Sequence, residues 1–434
     1  MTTARLKLND TPEVKDSMSK TILCADIGTS SLKTALIDET GAVLAYSRQT
    51  FLFRYTNHAA EEWLTALRNA ATQLFATQST SFTSIDAICV SGNGPTLVAD
   101  TGETLSWSVP VEQTGTSLFI PRILAFKKRF RMAWAYSKHI FSGPEYLIWQ
   151  LTGNCVTILP EKRFESAYWN HDALLQYGLT EEEASRFPPF VAPCSEAGCL
   201  TPQIAALFSA AIPTITTKVP VYCGAPDFIA ALVGTNTLHS GALCDRAGSS
   251  EGINLCTDSP VTGENIRTLP SVMPGLWNAS FLIPDSGTRF AAFKQKVERE
   301  RGKKLSYGEF VTELVSSEIT SATDDTVKQG KALMEEIAHE VQKGVQTLSV
   351  VATGPGVPAP HRMVVTGGQA ANDSWNQLKA DLLGIRVELS SCADAELLGD
   401  AIFALTGLGV YKSISEAADT LIKTAKTYYP HHSA

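Results

Sequence analysis

At 434 residues the chain exceeds the roughly 250–300 residues at which a single hydrophobic core stops growing, which predicts two domains with a cleft between them. An apolar fraction of 44% excludes a mainly disordered chain, and a net charge of −8 with one short basic cluster, Lys127-Lys128-Arg129-Phe130-Arg131, argues against nucleic acid, which charge-driven binding would meet with a broad basic footprint. No run approaches the roughly 18 apolar residues of a membrane span and the N-terminus has no apolar signal core, while nine scattered cysteines without zinc-ligand spacing read as reduced, buried residues of a cytoplasmic protein.

Residues 1–19 are polar and read as a tail. Ile22–Asp26 is a buried strand, Gly28-Thr29-Ser30-Ser31 a turn, and Leu32–Asp38 and Ala42–Arg48 continue an antiparallel meander. Apolar residues at Trp63, Leu64, Leu67, Ala71, Leu74 and Phe75 have helix spacing within Glu61–Phe75. A short strand, Ile85–Ser91, ends in the turn Gly92-Asn93-Gly94-Pro95. Residues 119–200 are mainly helical in pattern, broken at Gly143-Pro144, Gly153 and Pro188-Pro189. The basic cluster falls there and reads as the solvated face of a helix.

Val219–Cys223 restores a strand and Phe228–Gly234 a helix; Gly241–Cys256 is strand, turn and strand around Gly248-Ser249-Ser250. Tyr307 to Val351 is one long amphipathic helical stretch, followed by the strand Met363–Thr366, the turn Gly367-Gly368, and helices over Ser374–Leu383 and about Glu396–Thr406. Strands followed by helices imply α/β layering. The turns at 28 and 248 echo each other without a sequence period, so any repeat is structural.

Four segments carry chemistry. Asp26-Ile27-Gly28-Thr29-Ser30-Ser31-Leu32-Lys33 sets a carboxylate, a glycine turn, three hydroxyls and a cation in one hairpin, a combination able to satisfy phosphate oxygens, although a polar β-turn explains it equally. It lacks the spacing of a Walker A loop. A second turn, Gly248-Ser249-Ser250, would let two hairpins grip one polyphosphate. Gly367-Gly368-Gln369-Ala370-Ala371-Asn372-Asp373 either caps a helix through Asn372 or Asp373 or lets a flat ring lie against backbone. In Cys223-Gly224-Ala225-Pro226-Asp227-Phe228, the carboxylate of Asp227 is a helix cap, a metal ligand or a general base for phosphoryl transfer to a hydroxyl. No Ser/His/Asp arrangement or G-x-S-x-G motif indicates hydrolase chemistry.

With these residues in order, the chain resembles the FGGY carbohydrate kinases (xylulokinase, ribulokinase and glycerol kinase) over nearly all of residues 20–430. Asp26–Lys33 is similar to that family's first phosphate motif, Glu61-Glu62-Trp63 to its E-E-W helix start, and Pro144-Glu145-Tyr146-Leu147 with Leu151-Thr152-Gly153 to its D-Y-L…L-T-G segment. Gly224–Gly234 is similar to the segment holding the base, Gly248-Ser249-Ser250 to the second phosphate turn, and Gly367–Gly384 to the adenosine segment.

The resemblance implies two actin-like (ribonuclease H-like) α/β domains around a cleft, residues 20–236 holding the sugar and 237–434 the MgATP. It implies Asp227 as general base, Asp26 and, through water, Asp227 at Mg²⁺, and Gly28, Thr29, Ser30, Lys33, Gly248 and Ser249 at the phosphates. Gly368, Gln369 and Asn372 would border adenosine, and Asn93, Gly94 and Asp227 the acceptor, a ketose (above all a pentulose) or a polyol. Dimers are common in that family, though no interface signature is visible. The sugar-contacting segments depart from the pattern: Trp107-Ser108-Val109-Pro110-Val111 stands for W-x-D-x-R, Thr157-Ile158-Leu159-Pro160-Glu161-Lys162-Arg163 for T-D-x-x-D-A-S, and Asn93-Gly94-Pro95 for glutamine-methionine-histidine. The Gly-Glu-Arg loop of larger members is missing between Phe281 and Ser306. A non-catalytic nucleotide-binding module of the same fold is the competing expectation.

Overall fold

The computed structural model describes residues 19–53, 56–77, 84–317, 324–352 and 360–431; most of the polar N-terminal tail lies outside them. Two large sheets organise the chain. The first contains β1 (Thr21–Ile27), β2 (Ser31–Asp38), β3 (Val43–Thr50), β4 (Ala87–Gly92), β5 (Glu196–Cys199) and β6 (Pro220–Pro226), in the spatial order β5-β6-β4-β1-β2-β3. β1, β2 and β3 form an antiparallel meander, and β4 and β6 add in parallel to β1.

The second sheet repeats this plan with β7 (Leu243–Ala247), β8 (Glu251–Thr257), β9 (Ile266–Pro270), β10 (Trp277–Ile283), β11 (Arg362–Thr366), β12 (Arg386–Ser390) and β13 (Thr424–Tyr428), in the order β9-β10-β8-β7-β11-β12-β13. Its antiparallel core is β7-β8-β10, and β11 and β12 add in parallel. The repeat inferred from the two similar turns is therefore real at the level of topology. Each turn joins the first two strands of its own meander.

Alternation along β1 explains how its sheet is buried on both faces. Leu23, Ala25 and Ile27 pack with Trp63 and Leu67 of α1 (Trp63–Thr77) and with Leu147 and Ile148 of α2 (Pro144–Thr152). Ile22 and Cys24 face the other way, toward Leu398, Ala401 and Ile402. Those last residues belong to a helix that follows the second sheet, so one core joins the two halves.

Beyond the shorter helices between residues 120 and 209, the helices from the end of the first sheet onward are α3 (Asp227–Gly234), α4 (Ser286–Arg301), α5 (Tyr307–Ser316), α6 (Asp325–Ala352), α7 (Asp373–Leu383), α8 (Ala395–Gly407) and α9 (Ile414–Leu421). The single stretch expected over 307–351 is two helices, α5 and α6, with residues 318–323 outside the described residues. Region 119–200 is helical but also carries short strands at 140–141, 157–158, 190–191 and 196–199. Of the basic cluster, Lys127, Lys128 and Arg129 lie in the last turn of the helix Ile120–Arg129, where Lys127 pairs with Glu183 at 2.7 Å, and Arg131 begins the next helix, Arg131–Tyr136. Of the nine cysteines, all free, six are buried, Cys155 and Cys194 are half-buried and Cys199 is exposed, so burial is not general.

α3 follows β6 in the first half and α8 follows β12 in the second, and the two helices cross where each carries a glycine. A Cβ at Gly234 would lie 1.9 Å from the carbonyl of Ala395, and one at Gly399 2.1 Å from that of Ala230. Backbone meets backbone there with no room for a methyl group. Gly234→Ala should therefore lower the unfolding free energy by about 1–3 kcal/mol or more through overpacking, measured by urea denaturation, whereas Gly308→Ala, with nothing within 4 Å of its added Cβ, should be neutral or stabilising. Equal effects would show that the crossing tolerates a methyl.

Candidate active site

The first two parallel ladders bring three strand ends together. Asp26 is in register with Ser91, Ile27 with Gly92, and Gly92 with Pro226, so Asp26, Asn93 and Asp227 emerge at one sheet edge. In open α/β sheets such carboxyl ends are where ligands bind. The second sheet contributes Arg246 from the end of β7 and, through the start of α8, Asp394 and Glu396.

These side chains form one charge network across the two halves. Lys33 Nζ lies 2.9 Å from Asp394 Oδ1, 3.5 Å from Asp26 Oδ2 and 3.7 Å from Glu396 Oε2. Arg246 Nη2 lies 3.4 Å from Glu396 Oε1 and 3.9 Å from Asp227 Oδ2. The Asp26 side chain is 3% exposed and that of Asp227 30%, which leaves Asp227 as the accessible carboxylate.

Protonation follows from this geometry. Burial pushes the Asp26 carboxyl up to about 7, with Lys33 opposing and Glu396, Asp227 and Asp394 adding to the rise. The enclosed position of Asp227 raises its carboxyl above the usual range, with Arg246 drawing it back. For Glu396 burial acts upward, but Lys33 and Arg246 win and hold it below the ordinary value. Behind them Asp400, fully buried, sits 3.1 Å from the Ser91 hydroxyl. Burial, and then Asp26, raises its carboxyl well above the usual range. Gly224 makes the space, since a Cβ there would be 2.7 Å from Asp400 Oδ1.

Asp227 does not cap α3. Pro226 occupies the cap position without a side-chain hydrogen bond, Asp227 is the first helical residue, and its Oδ1 accepts from the next backbone N–H, Phe228, at 2.6 Å. Asn372 does cap α7, accepting from Trp375 N–H at 3.0 Å. Lys33, expected to face phosphate, is held by three carboxylates.

The glycine turns close alike: Gly28 N–H donates to Ser31 O at 3.0 Å and Gly248 N–H to Ser250 O at 2.9 Å. Gln369 Nε2 donates to Gly248 O at 2.9 Å, so the glycine-pair segment touches the second turn. Gly367 has a φ of +94°, and its backbone lies against Ala247. Ser249 O accepts from Thr288 N–H at 3.1 Å at the start of α4.

On the other side, Asn93 Oδ1 accepts from the Thr96 hydroxyl at 2.7 Å, and Gly94 lies near Pro226. A small recess beside the first turn is lined by Gly28, Thr29, Trp63, Asn93, Thr96 and Ser106. The Trp107 indole N–H donates to Thr29 Oγ1 at 2.9 Å. Arg122, buried, donates to the carbonyls of Ser106, Val109 and Trp107 and so props the loop that carries this tryptophan.

Arg246, Asp394, Glu396 and Arg122 thus join a site that sequence reasoning had drawn without them, while Trp107, which the sequence placed only in an altered sugar-contacting segment, meets the first turn. Asp394 carried a signal, since like Asp227 it is an acid between an extended segment and an apolar helix.

Two halves of one topology, each with a glycine-hydroxyl hairpin and joined by one charge network, have the two-domain actin-like ATPase fold. The model for the FGGY family of carbohydrate kinases, C-terminal domain, matches residues 311–408. The xylulose kinase of Bacillus subtilis (strain 168) is 22% identical over 483 aligned positions, covering 95% of this chain and 93% of that protein. Among solved structures, gluconate kinase from Lactobacillus acidophilus superposes with a TM-score of 0.73 at 15% identity, covering 95% of this chain and 94% of that one. Plasmodium falciparum glycerol kinase with ADP gives a TM-score of 0.73 at 14% identity with the same coverages. Over nearly its whole length the chain is thus similar to carbohydrate kinases of the FGGY family, and its C-terminal part matches that family's own domain model.

The raised carboxyl of Asp26 has a measurable sign. An unfolded Asp releases its proton near 4, whereas folded Asp26 keeps it up to about 7. The folded state therefore binds more protons in that window, and this contribution to stability is full below about pH 4 and is lost as pH rises through about 7. Thermal midpoints at pH 5 and pH 8 should fall further in the wild type than in Asp26→Asn; equal falls would contradict the shift.

Proposed function

We propose that the protein is an ATP-dependent kinase that phosphorylates a hydroxyl of a small ketose, above all a pentulose, or of a polyol, with Asp227 as general base. The observation that carries this reading is the charge network that ties the strands of both glycine-hydroxyl hairpins, through Lys33, Glu396 and Arg246, to the partly exposed Asp227 carboxylate. In this reading residues 20–236 hold the acceptor, beside Asn93, Gly94 and Trp107, and residues 237–434 hold the nucleotide. Gly28, Thr29, Ser30, Gly248 and Ser249 meet phosphate oxygens, while Gly368, Gln369 and Asn372 border adenosine. The free thiols fit a reducing compartment such as the cytoplasm.

The residues also suit Mg²⁺. Asp26 Oδ1 is buried without a hydrogen-bond partner, and carboxylate oxygen is the donor this ion prefers. Among the described residues no cluster of three or more His, Cys, Asp or Glu forms a cage, in keeping with an ion held by one or two carboxylates plus water and phosphate. Asp26, and Asp227 through water, would hold it, and the bound ion would offset charge on the phosphate oxygens.

Asp227 then takes the proton of the acceptor hydroxyl as that oxygen attacks the terminal phosphoryl group. Arg246 keeps the carboxylate oriented and favours its ionised form. Lys33, tied to Asp26, Asp394 and Glu396, orders these carboxylates and meets phosphate only if those contacts rearrange. This last arrangement is what favours the second reading, a non-catalytic nucleotide-binding module.

Asp227→Asn should leave ATP affinity within about twofold while turnover falls by about 100- to 10,000-fold, the usual worth of a general base. Coupled detection of ADP over a panel of pentuloses, hexuloses and polyols makes the measurement. Normal ATP binding without acceptor-dependent ADP release by the wild type would select the non-catalytic module.

A further inference from the structure

Away from the cleft's charge network, the second half buries another. Lys379 of α7 donates to Asp245 Oδ2 on β7 and to Glu251 Oε1 on β8, and all three side chains are at most 1% exposed. Asp245 Oδ1 and Glu251 Oε2 are buried without partners. Two carboxylates share one cation there, and burial together with Glu251 raises the Asp245 carboxyl well above its ordinary value. Such a group is an expensive way to stabilise a core, because neutral residues of similar volume often do as well or better.

Its placement suggests what it does. Asp245 lies on the strand entering the Gly248–Ser250 turn, and Glu251 is the first residue of the strand leaving it, paired with Ala247. Lys379 stands on the helix that Asn372 caps, directly after the glycine-pair segment. The same two segments touch again at Gln369 and Gly248. We propose that Lys379 is a positioning residue for the nucleotide: by holding one carboxylate on each strand of the second hairpin, it fixes the distance of that hairpin from the segment Gly367–Asn372. This rests on the reading that ATP binds between those two segments, and it extends that reading to a residue that touches no ligand.

The test compares full-length wild type with D245N/E251Q/K379M, which removes all three charges together, and with K379R. ATP affinity is read by calorimetry in the presence of Mg²⁺, the acceptor KM at saturating ATP, and the fold by thermal midpoint. Expected for the triple variant is a midpoint near that of the wild type, ATP binding weaker by about tenfold or more, as small misplacements at a site can cost, and an unchanged acceptor KM. A folded triple variant that binds ATP as the wild type does overturns the proposal, as does equal damage to ATP and acceptor. Should the triple variant not fold, K379R decides: the cation is kept but its geometry is changed, so weakened ATP binding with an unchanged acceptor KM supports positioning and unchanged ATP binding overturns it. A wild type that binds no ATP removes the underlying reading instead, an outcome distinct from all of these.

Discussion

Glu396 stands between two cations, Lys33 from the first half and Arg246 from the second. The other carboxylates of the network each meet one of these two cations. Lys33 reaches Asp26 and Asp394 on one side, and Arg246 reaches Asp227 on the other. A buried carboxylate without both partners would be too costly to keep ionised. Held as it is, Glu396 keeps its charge and lends each cation a fixed place, and the accessible Asp227 is oriented through Arg246 at no cost to its solvent contact.

The bridge depends in turn on the backbone crossing of α3 and α8. Gly234 and Gly399 let the two helices approach so closely that the start of α8, with Asp394 and Glu396, enters the cleft of the other half. The rest of α8 then fills the face of β1 and β4 that α1 and α2 leave open. One helix therefore serves as core for one sheet and as charge donor to a site made by both. Interiors packed at such density transmit displacement rather than absorb it, which couples the geometry of the cleft to the angle between the halves.

Much of the architecture was legible because the strongest patterns belong to the repeated unit. β1 to β3 alternate cleanly, and the Gly28 and Gly248 turns announce their hairpins. Elements that escaped have weak patterns for identifiable reasons. β13 is Thr424–Tyr428, an edge strand exposed over most of its length, and α4 is charged nearly all round with few buried residues, Phe290 and Val297 among them. Asp227 was legible as a chemical group, but its role as a cap was not decided until Pro226 was found in that position.

What the sequence determined by itself was the set of local conformers: glycine-hydroxyl turns between alternating strands, an acid at a strand-to-helix junction, a glycine pair ahead of a capped helix. These are consequences of steric freedom and of period along the chain, which neighbouring residues decide. What only tertiary structure decided was which charges meet. Lys33 and Glu396 are hundreds of residues apart in the chain, and Arg246 and Asp227, though near in sequence, stand on a strand of the second sheet and on the helix that follows the first; no local pattern encodes their distance. Their pairing, and the protonation that follows from it, arises because two copies of one topology close their strand ends on the same space.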